Sequence, residues 1–170
     1  PPPYMLIPYD ASLSTWREML LRVCGEQPAT VLQRGEPGAA FAAEYGRLIV
    51  GLIEVGEPLL GGPEGRAEVR CLCVMPALRR LGAGTSLLKQ GQEWARAAGF
   101  RSLQAAAPIS DDSGAARALL QANRMEYERT TLVVRRGQAV EALSPGDYWS
   151  GCSGEEHAIV TAFAVYAMDL

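Results

Sequence analysis

No apolar run in this 170-residue chain approaches the roughly eighteen residues that a helix needs to cross a bilayer, so neither a membrane span nor a membrane partner is expected. The opening Pro1-Pro2-Pro3-Tyr4 has neither the charged head nor the apolar body of a secretion signal, and the chain is expected in the cytoplasm. Metal-ligand spacing is missing as well. Cys71 and Cys73 alternate within one short stretch, Cys24 and Cys152 stand alone, and His157 is the only histidine, beside Glu155-Glu156. Reduced thiols and no metal are expected. Positive charge does not dominate: the formal net charge of −3 argues against a nucleic-acid partner, which would demand a basic face. No internal repeat and no low-complexity segment breaks the chain. What it does have is apolar content, 48% of residues, enough for a real core in a chain of one-domain size.

The informative stretch runs from Ala67 to Gly99. A short apolar strand is followed by the turn Met75-Pro76-Ala77-Leu78, and Arg79-Arg80-Leu81-Gly82-Ala83-Gly84 then opens a long amphipathic helix. That is the layout of an anion cradle: glycines let the backbone turn tightly and bring several N–H groups to one ligand at the positive end of a helix, as a diphosphate requires. Two nucleotide-binding loops are excluded. There is no Gly-x-x-x-x-Gly-Lys-Ser/Thr run, and the third glycine of a dinucleotide fingerprint is replaced by Leu87. A plain turn with solvated Arg79 and Arg80 would explain neither the paired glycines nor the helix start.

What remains is Arg/Gln-x-x-Gly-x-Gly/Ala, matched by Arg79, Gly82 and Gly84, with Val74 and Pro76 ahead and Leu87-Leu88 behind. This arrangement resembles the acyl-CoA-binding segment of the GNAT superfamily of N-acetyltransferases. The resemblance spans roughly Tyr4 to Arg136, and its specific part is Glu68 to Phe100.

Periodicity and punctuation give the remaining elements. Tyr4–Pro8 reads as an edge strand. Asp10, Ser12 or Ser14 caps a helix with Leu13, Trp16, Leu20 and Val23 on its apolar face, and a short helix lies between Pro28 and Arg34. Phe41–Tyr45 and Leu48–Val55 form a hairpin, Ala67–Val74 is the central strand, and Thr85–Ala98 is a helix ended by Gly99. Arg101–Ala107 is a strand. Ser110-Asp111-Asp112-Ser113 offers caps for helix Gly114–Ala122, and Glu126–Arg136 is a further strand. The order is that of an α/β (α+β) fold, a mixed central sheet with helices on both faces. We expect residues 1–136 to form the acyl-CoA-binding core and 137–170 a long loop plus a strand that completes the same domain. In this reading Gly137–Glu156 is an excursion acting as a substrate-side lid, and Ala158–Leu170 is the last strand, antiparallel to Glu126–Arg136. The alternative for that segment is a docking strand paired with another subunit, which would make the protein a homodimer.

The resemblance implies acetyl-CoA as cosubstrate and transfer of its acetyl group to a primary amine of a small molecule or protein by direct attack on the thioester. A cationic or neutral amine suits the acidic chain. Backbone N–H groups of Leu81, Gly82, Ala83, Gly84 and Thr85 would hold the pyrophosphate, with Arg79 and Arg80 adding charge. The pantetheine arm would lie in a gap flanked by Leu72, Cys73 and Val74 and by Gln104–Ala106, with an N–H near Cys73 or Val74 as oxyanion donor. Glu68 matches the family's strand glutamate, a water-mediated base for an amine that is mostly protonated at neutral pH; a solvent-facing carboxylate is the competing reading. One departure is plain: Leu120 stands where many members carry the tyrosine that protonates the leaving thiolate. Tyr127, Tyr148 or Tyr166 would have to substitute, Asn123 is left as a cofactor contact, and Trp149 with Tyr148 would line an acceptor pocket. That gap keeps a second class open, a non-catalytic acyl-CoA-binding module for regulation or assembly.

Overall fold

The computed structural model describes residues 4–79, 81–110, 114–151 and 157–170. Strand β1 (Met5–Pro8) leads through a 3-10 turn at Ala11–Leu13 into helix α1 (Ser14–Val23). Asp10 caps that turn by accepting the Ser12 N–H. Helix α2 (Pro28–Leu32) starts on a proline, whose missing N–H costs nothing at a first helical position. The hairpin β2 (Ala39–Tyr45) and β3 (Leu48–Gly56) follows, then β4 (Arg66–Val74), a 3-10 turn at Pro76–Leu78 and helix α3 (Ala83–Ala97). Strand β5 (Ser102–Pro108), helix α4 (Gly114–Ala122) and strand β6 (Glu126–Arg136) come next, and β7 (Ala139–Leu143), α5 (Pro145–Gly151) and β8 (His157–Asp169) close the chain.

The strands form one eight-stranded sheet in the order β1-β2-β3-β4-β5-β8-β6-β7. Only β4 and β5 run parallel; the other pairs are antiparallel, so the sheet is mixed as expected. Alternation in β3 sends Leu52 to one face and Ile53 to the other, and both are buried. On the first face, Leu20 and Trp16 of α1 pack over Leu52, Cys71 and Cys73. On the second, Leu87, Leu88 and Ala95 of α3 and Leu120 of α4 pack over Ile53, Val55 and Val69. A strand covered on both sides reads as a continuous apolar run, and Ile49–Ile53 does, ahead of Glu54, which pairs with Arg17.

The segment after β6 differs from the expected excursion. Gly137, at φ +61°, turns the chain back within two residues so that Ala139 pairs with Arg136, and β7 forms the far edge of the sheet. Pro145 starts a helix instead of breaking a loop, with Ser144 Oγ accepting the Asp147 N–H. The glycine and proline that looked like loop punctuation mark element boundaries. Beyond Gly151, residues 152–156 lie outside the described residues, as do Pro1–Pro3, Arg80 and Asp111–Ser113. The lid expectation does not hold for 137–151, because β7 and α5 sit beside β6, with β8 and β6 between them and β5. Strand β8 pairs with β6 antiparallel, as expected, and also with β5, filling the place between them. It therefore pairs within its own chain.

Candidate functional site

Parallel pairing of β4 with β5 begins at Arg66 and Ser102 and stops at Val69 and Ala105, although β4 continues to Val74 and β5 to Pro108. The two strands part beyond that apex and open a cleft. The cavity in it measures about 920 Å³ and is walled by Leu72 and Val74 of β4, Ala106 and Pro108 of β5, and Leu119 and Leu120 of α4. Its mouth is the glycine loop: Arg79, Gly82, Ala83, Gly84 and Thr85 also line it.

Gly82 is the residue before α3 and has φ +83°, a conformation that favours glycine, so the helix starts two residues earlier than its apolar face implied. The first-turn N–H groups of Ala83, Gly84 and Thr85 have no acceptor in the helix and face the mouth with the positive end of the helix dipole. Arg79 turns inward, its Nε donating to the Val74 carbonyl at 3.2 Å. Beneath the loop, the Tyr4 hydroxyl lies 2.8 Å from Ser86 Oγ, tying β1 to the first turn of α3.

On β4 the backbone groups alternate between β3 and the cleft. Leu72 N–H donates into the cleft, to Gln27 Oε1 at 3.0 Å, and the Met75 N–H donates to Val50 of β3 at 2.8 Å. By this alternation Val74 turns its N–H to the cleft and Cys73 turns its own to β3. The Cys73 side chain is buried against α1. The expected oxyanion donor near Cys73 or Val74 thus narrows on geometric grounds: Cys73 faces away, and Leu72 joins Val74.

The structure places the other sequence candidates as follows. Glu68 is fully buried, which rules out the solvent-facing alternative, and it lies one residue below the apex rather than on the cavity wall. Its carboxyl accepts the Leu59 N–H at 2.9 Å, the Leu60 N–H at 3.2 Å and Gln104 Nε2 at 2.7 Å. Burial raises its pKa, opposed by those donors and by Arg70. Gln104 also donates to the Gly61 carbonyl at 2.7 Å, and its oxygen accepts from Arg66 and Arg129. This polar knot fastens β4 to β5 just below the point where they separate. Leu81 is exposed at the mouth, and Asn123 folds its amide back on the Leu119 carbonyl at the end of α4, away from the cavity wall. Tyr127 bonds Thr130 and stacks edge-on against the buried Tyr166, while Tyr148 packs on Trp149 in α5; none of the three tyrosines lines the cleft. His157 accepts from Arg136 Nε at 2.8 Å. Leu120 is buried and on the cleft wall, where an acid was expected to be missing.

The wall residues that escaped the sequence reading include a group from the turn between α1 and α2: Cys24, Gly25 and Gln27. Cys24 had looked solitary, but its thiol donates to the Val74 carbonyl at 3.7 Å, and its contact with Cys73, together with burial, pushes its pKa well up. A half-buried thiol bonded to the Val74 carbonyl and held neutral there is a packing group, not a nucleophile. Only the long-range pairing of α1 with β4 brings these residues to the cleft, and no local pattern signals it.

The chain matches the model of the acetyltransferase (GNAT) family over residues 9–123. A search of curated protein sequences found no match. Among solved structures, the IAA acetyltransferase from Bacillus cereus ATCC 14579 superposes with a TM-score of 0.64 at 17% identity, covering 98% of this chain and 99% of that one. An N-acetyltransferase from Staphylococcus aureus Mu50 superposes with a TM-score of 0.64 at 15% identity, covering 98% of each chain. A GNAT family acetyltransferase from Elizabethkingia anophelis, solved with acetyl-CoA bound, gives 0.60 at 15% identity, again covering 98% of each chain.

Proposed function

Because the chain belongs to the acetyltransferase (GNAT) family, and is thereby an acetyl-CoA-dependent N-acetyltransferase, we propose that it acetylates a primary amine of a small molecule or protein in the cleft between β4 and β5. The observation that carries this reading is the parting of those strands beyond Val69 and Ala105 directly in front of the Gly82 helix start. The pyrophosphate sits on the N–H groups of Ala83, Gly84 and Thr85, and the pantetheine arm runs inward between Val74 and Pro108. Of the two cleft-facing N–H groups, Leu72 lies deeper and meets the reacting end. It polarises the thioester carbonyl as negative charge develops on the oxygen.

The amine enters from the face that carries Cys24, Gly25 and Gln27. Its nitrogen attacks the carbonyl carbon, the C–S bond breaks, the amine proton is lost, and the products are the acetylated amine and CoA thiol. A thiolate is a good leaving group, so an apolar Leu120 beside it is tolerable. In this reading Glu68 is a positioning residue. With both oxygens engaged by Leu59, Leu60 and Gln104, it holds the apex rather than reaching the amine. Release of free thiol from acetyl-CoA in the presence of a panel of primary amines tests the proposal. Amine-dependent thiol release is expected, and CoA binding with no release for any amine would overturn it.

A further inference from the structure

The Leu72 N–H, the donor assigned above to the thioester carbonyl, is already held by a side chain. Gln27 Oε1 accepts it at 3.0 Å from across the cleft. Gln27 is not a strand neighbour of Leu72; it is 45 positions away in sequence and half-buried, and it lines the cavity. Chemically its carboxamide oxygen is an sp² carbonyl acceptor on the free edge of β4, the same group an acyl thioester would present there. We propose that Gln27 is an internal competitor for the acyl group: it occupies the Leu72 N–H in the empty enzyme and gives it up only to a ligand with a carbonyl at that depth.

The surroundings suit an exchangeable contact. Gln27 is anchored by its backbone, not by its grip on β4. Its N–H donates to Thr30 Oγ1 at 3.1 Å, Thr30 Oγ1 donates to its carbonyl at 2.9 Å, and the residue is the N-cap of α2. Its Nε2 is tied to the Gly25 carbonyl at 3.2 Å on the same turn. Rotation of the side chain away from Leu72 gives up the bond to Gly25 as well, but the backbone bonds to Thr30 keep the start of α2 in place.

The consequence is a levelling of substrate and product affinity. When acetyl-CoA binds, one carbonyl replaces another on Leu72 and little is gained from that contact. When CoA binds, the thiol offers no carbonyl and Gln27 keeps its bond, so nothing is lost. Without the carboxamide the balance changes: acetyl-CoA gains a hydrogen bond, and CoA covers an unsatisfied N–H, which is costly.

The inference rests on the cleft being the acetyl-CoA site, and calorimetry on the full chain separates the two. The quantity read is Kd for CoA divided by Kd for acetyl-CoA. Gln27→Met should raise that ratio by about two- to tenfold, the range of one net hydrogen bond. Gln27→Glu, whose carboxylate grips the Leu72 N–H harder, should lower it below the value of the unmodified protein. A purely structural role for Gln27 would weaken both ligands alike and leave the ratio unchanged in both variants, and that result overturns the inference while sparing the site. Failure of the unmodified protein to bind either ligand would overturn the site itself.

Discussion

Leu119 of α4 lies directly against Gly84 of α3: a β-carbon on Gly84 would stand 3.0 Å from Leu119 Cδ2 and 3.6 Å from Val74 Cγ2. The second glycine of the loop thus serves two demands at once. It leaves the helix start bare for an anion, and it lets α4 and β4 close on α3 at the mouth of the cleft.

Gly84→Val should therefore damage cofactor binding through packing as well as through backbone access. The added methyls force Leu119 outward and cross the route of the pantetheine arm, an overpacking of about 1–3 kcal/mol. The dissociation constant for CoA, read by calorimetry, is expected to rise at least tenfold, a loss of about 1.4 kcal/mol. Arg80→Ala, which removes one charge from the same stretch of sequence, should change it by less than about threefold. Unchanged affinity in Gly84→Val would place the diphosphate elsewhere.

Tyr4→Phe tests the support under the loop. The Tyr4 hydroxyl and Ser86 Oγ are 2.8 Å apart and partly buried, so losing the bond should cost about 1 kcal/mol of stability by thermal or denaturant melting. CoA affinity should fall a few-fold, since Ser86 is in the first turn of the helix proposed to hold the pyrophosphate. Ser86→Ala should match it, and the double variant should lose little more than either single one, the signature of a shared contact.

Much of this architecture was legible in the sequence because it is local. The bounds of α4 and β6 follow from periodicity and punctuation, and the glycine loop announces itself through residues within one turn of each other. The cleft's other wall was not legible. Cys24, Gly25 and Gln27 reach it through the packing of α1 on Cys71 and Cys73, a contact across some fifty positions with no local pattern. Glu68 shows the same limit from the other side. Its place on the strand was read correctly, but its burial was not, because Leu59, Leu60 and Gln104 come to it from other elements. The segment after Gly137 was misjudged for another reason: a glycine turn and a helix-starting proline look like loop composition when read one residue at a time.

Glu68 gives a pH signature in stability. Its pKa is raised in the folded chain from an ordinary value of 4.5, chiefly by burial. A raised folded pKa means that the native state holds the proton more tightly than the unfolded chain. The stability this contributes is complete below about pH 4.5 and is lost as pH rises through the folded value. The stability of the unmodified protein relative to Glu68→Gln should therefore decline with rising pH across that window, because the amide does not titrate. Amine acetylation by Glu68→Gln should keep the pH slope of the unmodified enzyme while its rate falls. A slope that flattens, with activity recovering at high pH, would make Glu68 the base.

Strand β8 sets the last expectation. It lies between β5 and β6 and pairs with both, so it contributes hydrogen bonds to two neighbours at once. Its middle is buried on both faces: Phe163 and Val165 pack with Leu32, Leu60 and Val133, while Ala164 and Tyr166 belong to the core under α3. Removing residues 158–170 would strip the ladder partners from β5 and β6, uncover Val133 and leave two open strand edges, a combination that favours aggregation over a smaller folded core. A chain ending at His157 is therefore expected to be insoluble or to melt without cooperativity. Phe163→Ala, which keeps every backbone bond and removes only a fully buried ring, should still fold but lose about 3–5 kcal/mol in denaturant unfolding. The two variants separate the strand's roles, the first reporting on sheet closure and the second on packing alone. A soluble, cooperatively melting protein ending at His157 would show that the core closes without β8 and that β8 only decorates it.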